Sequence, residues 1–380
     1  MIDYIIVGAG LAGSVIAERI ATQLNKTVLI IERHNHLAGH CYDFVDDNNI
    51  LVHRYGPHLF HTNNKHVVDY LTNFTSWDIY NHEVLAFIDG KKVPIPFNIN
   101  TLYEVFPSSR AKMLEEKLLT HFSYNSKVPI LELKKSIDND LQFLAEYIYN
   151  KIFKNYTMKQ WGMKPEEINE SVTARVPVFI GRDNRYFNDH YQMVPKKGYT
   201  KMVKNMVNHK NIKIMLNTDF KEVCGLKNKD IYFLGSIFEG KVIYTGQIDE
   251  LFDYKFGELP YRSVDMQFET IGKEFYQEKA TVNFPNDYDF TRITEFKHIH
   301  PTNSNKTTIL KEYPQKHIKG QNQPYYAIFT SENIQKYEKY FEYSTKFKNL
   351  VLVGRLAEYK YYDMDDVVEK ALQIFEDRIK

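Results

Sequence analysis

Residues 4–13 read Tyr4-Ile5-Ile6-Val7-Gly8-Ala9-Gly10-Leu11-Ala12-Gly13: an apolar run, then three glycines spaced G-x-G-x-x-G. Four consecutive apolar residues suit a strand buried on both faces of a parallel sheet. Gly8 makes the tight turn, Gly10 lets backbone approach a pyrophosphate, and Gly13 permits close helix–strand packing. Ile16, Ile20 and Leu24 follow at i+4, one face of a helix, and Val28-Leu29-Ile30-Ile31 is a second buried strand ending at Glu32. The helix head, with Leu11 and Ala12, offers N–H groups and a positive dipole end to phosphates. Glu32, 22 residues after Gly10, stands where a carboxylate accepts from an adenosine ribose hydroxyl. Strand, turn, helix, strand and acid in this order predict a dinucleotide-binding βαβ unit.

Outward from this unit the pattern changes twice. From about residue 64 to 170, Leu114, Leu118 and Leu119, then Leu141, Leu144, Ile148 and Ile152, fall mostly at three- and four-residue steps and predict helices. Ile212-Lys213-Ile214-Met215-Leu216 and Lys241-Val242-Ile243-Tyr244 predict strands again. Residues 262–330 alternate, with many β-branched and aromatic residues, and predict an antiparallel sheet. Leu350-Val351-Leu352-Val353 adds a buried strand, and Val367, Val368, Ala371, Leu372 and Phe375 mark a closing amphipathic helix. A parallel-strand signal that stops and returns means an α/β domain interrupted by inserts.

Composition narrows the function. Lys plus Arg is 49 and Asp plus Glu 48, a formal charge of +1, which argues against the basic face a nucleic-acid binder needs. A hydrophobic content of 43% argues against disorder, and 380 residues allow two or three domains with a large core. Two cysteines, Cys41 and Cys224, cannot build a disulfide framework or zinc cluster, and free thiols suit a reducing cytosol. No apolar run approaches the ~20 residues of a membrane span, and Met1-Ile2-Asp3 enters the first strand without a basic n-region. A cytoplasmic protein without a membrane partner is expected. The 28 Tyr and 25 Phe suit core packing and stacked ring ligands alike.

After Glu32 the chain continues Arg33-His34-Asn35-His36-Leu37-Ala38-Gly39-His40. An arginine followed by a small pair resembles the extended signature of FAD proteins, with Ala38-Gly39 where two glycines are usual. Residues 55–62 read Tyr55-Gly56-Pro57-His58-Leu59-Phe60-His61-Thr62, and residues 156–161 Tyr156-Thr157-Met158-Lys159-Gln160-Trp161. Later come Thr291-Arg292-Ile293-Thr294-Glu295, Gly354-Arg355-Leu356 and Tyr361-Tyr362-Asp363-Met364-Asp365. With the N-terminal fingerprint, these motifs resemble the flavin-dependent UDP-galactopyranose mutase family, in unchanged order from Met1 to about Val368.

The resemblance implies an FAD enzyme that interconverts pyranose and furanose rings of a nucleotide sugar with no net redox change. Reduced flavin N5 attacks the anomeric carbon and expels UDP; a flavin–sugar iminium then opens and recloses the ring. It also implies an α/β fold: a discontinuous Rossmann-like FAD-binding domain (1–80, 201–250, 341–380), an inserted helical domain with a mobile lid (81–180), and an antiparallel β-sheet domain (181–200, 251–340). Carried over by motif, Arg175 (in Thr173-Ala174-Arg175-Val176-Pro177-Val178) and Arg292 bind the diphosphate, a task suited to arginine's planar fork. Tyr156, Thr157 and Trp161 hold uracil; Tyr186, Tyr325 and Tyr361 bond the diphosphate; Asn283 lies near the sugar–phosphate. His58 and His61 flank the isoalloxazine, His58 as the active-site contact. Gly56, Leu59, Arg355, Tyr362, Asp363 and Met364 join the flavin side, and Arg33, Gly39 and His40 the adenosine side, His40 standing where asparagine is common. His58 and His61 at i and i+3 with no third ligand do not make a metal site.

Phe179 stands where bacterial relatives often carry arginine, and changes near the sugar pocket leave TDP-fucose and UDP-N-acetylgalactosamine as alternatives to UDP-galactose. Two readings of other classes compete: an FAD oxidoreductase of the amine-oxidase type, and a non-catalytic FAD-binding protein. The arginine–aromatic set suits a nucleotide diphosphate and has no obvious use with an amine. Gly162 and Gly181 bracket the expected lid. A homodimer is expected from the family alone.

Overall fold

The structure, a computed structural model, describes residues 2–162, 164 and 177–380. Its nucleotide-type sheet is five parallel strands in the order Ile212–Met215, Val28–Ile31, Tyr4–Val7, Lys241–Tyr244, Leu350–Leu352. Tyr4 registers with Val28 on one side and Lys241 on the other. Alternate residues of the inner strands enter opposite cores, which is why Tyr4–Val7 and Val28–Ile31 read as unbroken apolar runs, whereas the edge strand Ile212–Met215 leaves Lys213 and Ile214 exposed. Ile6, Ile30, Ile243 and Val351 pack beneath the helices Leu11–Gln23, Tyr199–Met206 and Met364–Ile374. Ile5, Val7, Leu29, Val242 and Leu352 pack on the other face against Phe252, Tyr340 and Phe347.

The second large sheet has seven strands, ordered Tyr326–Ala327, Tyr261–Ile271, Thr307–Lys316, Arg292–Glu295, Thr281–Asn283, Val84–Ile88, Lys91–Ile95. It corrects the sequence reading in several respects. It is mixed, because Thr281–Asn283 runs parallel to Val84–Ile88. Two of its strands come from the stretch read as helical. Val84–Ile88 alternates buried and half-buried, and its turn is Asp89-Gly90 with φ of 48° and 82°, the Asp-Gly hairpin chemistry that outweighs helical periodicity nearby. Residues 191–195, expected in this sheet, pair instead with Phe60–Thr62 and Trp77–Ile79. The helix Ser331–Ser344, expected with the sheet domain, sends Tyr340 into the core under the five-stranded sheet.

The helices Ser108–His121 and Asn139–Ile148 bury Leu114, Leu118, Leu141 and Leu144 against Val84, Ala86, Val93 and Ile95 of that hairpin. The insert therefore shares one core with the mixed sheet. Among the described residues no helix is long and apolar enough to cross a membrane.

Candidate functional site

A cavity of about 730 Å³ opens at the carboxyl ends of Tyr4–Val7 and Lys241–Tyr244 and runs to the mixed sheet. Strand order reverses between those two strands, the place where open parallel sheets bind ligands. Gly8, Gly10, Leu11 and Ala12 line the near end. Gly8 has φ +102°, and a Cβ there would lie 2.1 Å from Thr245 Oγ1. At Gly10 a Cβ would meet nothing closer than Gly39 Cα at 3.9 Å, so the space over its backbone is open. The helix Leu11–Gln23 begins with no side-chain cap and no acidic residue in its first turn. Its first N–H groups are donors awaiting an anion, which fits a pyrophosphate. Gly13 does not line the cavity; a Cβ there would fall 2.1 Å from Gly8 O, so its service is helix–strand contact. Ala38 holds φ +74°, where glycine is less strained, and Gly39 packs against Gly10.

Glu32 lines the cavity with its carboxylate partly engaged, accepting from Ala9 N–H and His34 N–H, both at 2.8 Å. Ionised, it retains lone pairs for further donors. Arg33 pairs with Glu250 at 2.8 Å and Asp219 at 3.4 Å. Thr218, Phe220, Gln247 and Glu250 complete this wall and were missed by the sequence reading. Their signal was position, just beyond the ends of two buried strands.

A second helix N-terminus faces the cavity. Asp363 and Asp366 form a reciprocal capping box at the head of Met364–Ile374, and Arg355, Tyr361, Tyr362, Asp363 and Met364 all line the cavity. Arg355 Nη2 donates to His40 Nδ1 at 2.9 Å, while the His40 ring stacks on Tyr325 with centroids 5.0 Å apart. Burial, then Arg355, pushes the His40 pKa well down. His40, read as belonging to the adenosine side, thus bonds and stacks with residues read as flavin and diphosphate contacts.

The far wall carries Asn283 and Arg292, with Glu312 behind them on the next strand. Asn283 registers with Arg292, and Arg292 with Glu312, so their side chains share one sheet face. Arg292 Nε donates to Glu312 Oε1 at 2.6 Å, and the Glu312 side chain is almost wholly buried. Glu312 lies outside the motifs and was missed. Asn283 is buried, and its Oδ1 has no hydrogen-bond partner among the described residues. Tyr156, Thr157 and Trp161 reach the cavity from the helix Asn155–Trp161, and Tyr186 from the chain beyond. Burial raises the Tyr156 pKa, so its phenol stays protonated. Arg175 lies outside the described residues, as does most of the expected lid.

His58 and Leu59 sit between the two ends, while Gly56 lies just behind them, 3.8 Å from Arg292 Nη2 at the position of an added Cβ. His58 Nδ1 is 2.9 Å from Gly56 O. Burial, with Arg355 and Arg292 adding, lowers its pKa to about 4, so the ring is neutral at pH 7. His61 bonds Asp189 at 2.9 Å and stacks on Phe187. His82, which no motif marked, also lines the cavity and is lowered to about 3 by burial and then Arg292. No group of three or more His, Cys, Asp or Glu is poised to hold a metal among the described residues.

Comparison with known proteins shows the family. The family profile described as UDP-galactopyranose mutase matches residues 151–361, and that of an NAD(P)-binding Rossmann-like domain matches residues 6–74. A probable UDP-galactopyranose mutase of Klebsiella pneumoniae is 35% identical over 375 residues, 98% of this chain and 93% of the relative. A dTDP-fucopyranose mutase of Escherichia coli is 31% identical, covering 98% of this chain and 97% of that one. The crystal structure of reduced UDP-galactopyranose mutase superposes with a TM-score of 0.73 at 14% identity, over 99% of this chain and 93% of that one.

Proposed function

Because the chain belongs to the UDP-galactopyranose mutase family of isomerases, we propose that it binds FAD and interconverts UDP-galactopyranose and UDP-galactofuranose. The carrying observation is a single cavity with an uncapped helix N-terminus at one end and Asn283 and Arg292, the latter backed by Glu312, at the other. The first suits the cofactor's pyrophosphate, with Gly8, Gly10, Leu11, Ala12 and Glu32 around it. The second suits the diphosphate of a nucleotide sugar.

The reduced flavin, when bound, supplies the nucleophile for the anomeric carbon and needs no outside oxidant. The protein's part is binding, orientation and electrostatics. Arg292 beside Glu312 stays cationic and is held in place to stabilise the charge that develops on departing UDP. Asn283 offers a buried amide to the same end of the substrate. Tyr156 and Trp161 give uracil flat partners, and Tyr186, Tyr325 and Tyr361 give the diphosphate hydroxyl donors. Neutral His58 keeps one ring nitrogen as an acceptor toward the flavin side. Arg175 is assigned with Arg292 on family grounds.

The test is anaerobic incubation of the chemically reduced, flavin-loaded protein with UDP-galactofuranose, followed by separation of the nucleotide sugars. Conversion to UDP-galactopyranose that disappears on flavin oxidation supports the reading. Bound UDP without conversion moves the substrate to TDP-fucose, which the 31% identical dTDP-fucopyranose mutase favours as the second reading. A protein that binds no flavin sinks both.

A further inference from the structure

Behind the turn that carries His58 lies a buried pair of histidines outside the cavity. His53 closes the strand Leu51–His53 and is fully enclosed; His300 follows the turn Phe296–His298 and is nearly so. Their Nε2 atoms are 3.1 Å apart. On its other edge, His53 Nδ1 lies 3.0 Å from the backbone N of His58.

These distances assign the protons. A backbone N–H can only donate, so His53 Nδ1 is bare and its proton sits on Nε2. That proton points at His300 Nε2, which must be bare, leaving the His300 proton on Nδ1. His58 has the opposite tautomer to His53. Its Nδ1 faces the Gly56 carbonyl at 2.9 Å and carries the proton, which leaves Nε2 as the acceptor. One amide and one carbonyl of the main chain therefore fix three imidazoles, and burial lowers the pKa of all three, keeping each ring neutral.

We propose that His53 and His300 are positioning residues for His58. His300 holds the His53 proton on Nε2, and His53 in turn holds the His58 amide. The turn Gly56–His58 is thereby fixed with His58 Nε2 bare. What His58 meets there rests on the flavin-mutase reading; the three tautomers do not.

The experiment uses FAD-loaded protein with ¹⁵N-labelled histidine and reads each ring from long-range proton–nitrogen correlation spectra. His300→Gln keeps an acceptor for His53 Nε2–H, whereas His300→Leu fills similar space without one. Expected in the unaltered protein are single tautomers, Nε2–H at His53 and Nδ1–H at His58. In H300L the two signals shift or average. In that variant kcat falls about tenfold as the turn carrying His58 loosens, with the KM for nucleotide sugar within about twofold; H300Q restores both. A His53 proton on Nδ1 in the unaltered protein overturns the proposal. So does an H300L variant whose His53 and His58 signals match it. Because tautomers are read without turnover, an inactive but flavin-bound protein would count against the mutase reading alone.

Discussion

At Gly10 the absence of a side chain has no visible use in the protein itself. Its φ is −72°, ordinary for any residue, and an added Cβ meets nothing within 3.9 Å. Gly10→Ala should therefore leave the melting temperature of the flavin-free protein within about 1 °C, since surface-type changes without contact cost little. FAD affinity should drop at least tenfold, because the methyl group takes the space a pyrophosphate approaches through. Equal flavin affinity in calorimetric titration would remove Gly10 from the cofactor site. Arg292 is the opposite case, since it serves the fold and the site together. Truncation to alanine leaves buried Glu312 without its cation, a loss of about 3–5 kcal/mol, so unfolding would mask chemistry. Arg292→Lys keeps the charge and loses the planar fork. A fall in kcat on the order of 100-fold, with Tm shifted only a few degrees, is expected from steady-state kinetics and calorimetry. Arg292 was legible because it sits in a motif. Glu312 and His82 were not, because their partners lie on strands or loops distant in sequence.

The helix Asn155–Trp161 has no fully buried residue and is held by clamps. Arg262 donates to Gln160 O at 3.1 Å and Lys159 O at 3.2 Å, satisfying carbonyls at the helix end. Lys159 Nζ donates to Phe284 O and Tyr288 O, both at 2.7 Å, tying the helix to the loop after Asn283. Gly162 closes the helix at φ +62°, and a Cβ there would stand 2.7 Å from Arg262 Nη1. Gly162→Ala should push Arg262 off both carbonyls and loosen the segment carrying Tyr156 and Trp161. The expected signature is a rise of about fivefold in UDP dissociation constant, roughly 1 kcal/mol, with flavin affinity unchanged. An unchanged UDP isotherm would show that the clamp does not serve the base. Of these features the sequence displayed the glycine but not the reason for it, since Arg262 is a hundred residues away in the chain. The Val84–Ile95 hairpin was readable in principle from Asp89-Gly90 between alternating apolar residues. Helical periodicity on its C-terminal side hid it.

For the whole molecule, the five-stranded sheet was legible because its inner strands are largely apolar on both faces and the glycine fingerprint sets the turn and helix after the first. The mixed sheet was harder to read, since Thr281–Asn283 finds its partner Val84–Ile88 almost two hundred residues earlier and nothing local encodes that choice. Packing such distant elements together also buries imidazoles, and this makes stability depend on pH. Burial is the leading cause that lowers His40, His53, His58, His82 and His300, with His58 and His300 at about 4 and His82 at about 3. Each is neutral in the fold and gains a proton near pH 6.5 when the chain unfolds. Their contribution is complete above about pH 6.5 and is lost as pH falls toward the folded values. Asp43 and Asp249 act in the opposite sense. Burial raises both, Asp249 to about 6, so the fold holds protons there that the unfolded chain releases. Burial also lowers His34 and His317, while His298 and Asp366 are raised. Seven lowered imidazoles against one raised imidazole and three raised carboxylates leave net proton uptake on unfolding, worth on the order of 1.4 kcal/mol per pH unit for each net proton. Urea midpoints at constant ionic strength should therefore fall steadily from pH 6.5 to 5. His300→Gln, which removes one of these lowered imidazoles, should flatten that fall. A midpoint that holds level or rises over this range would mean that the buried histidines are already charged in the fold, and with that the neutral tautomers assigned to His53, His58 and His300 would go too.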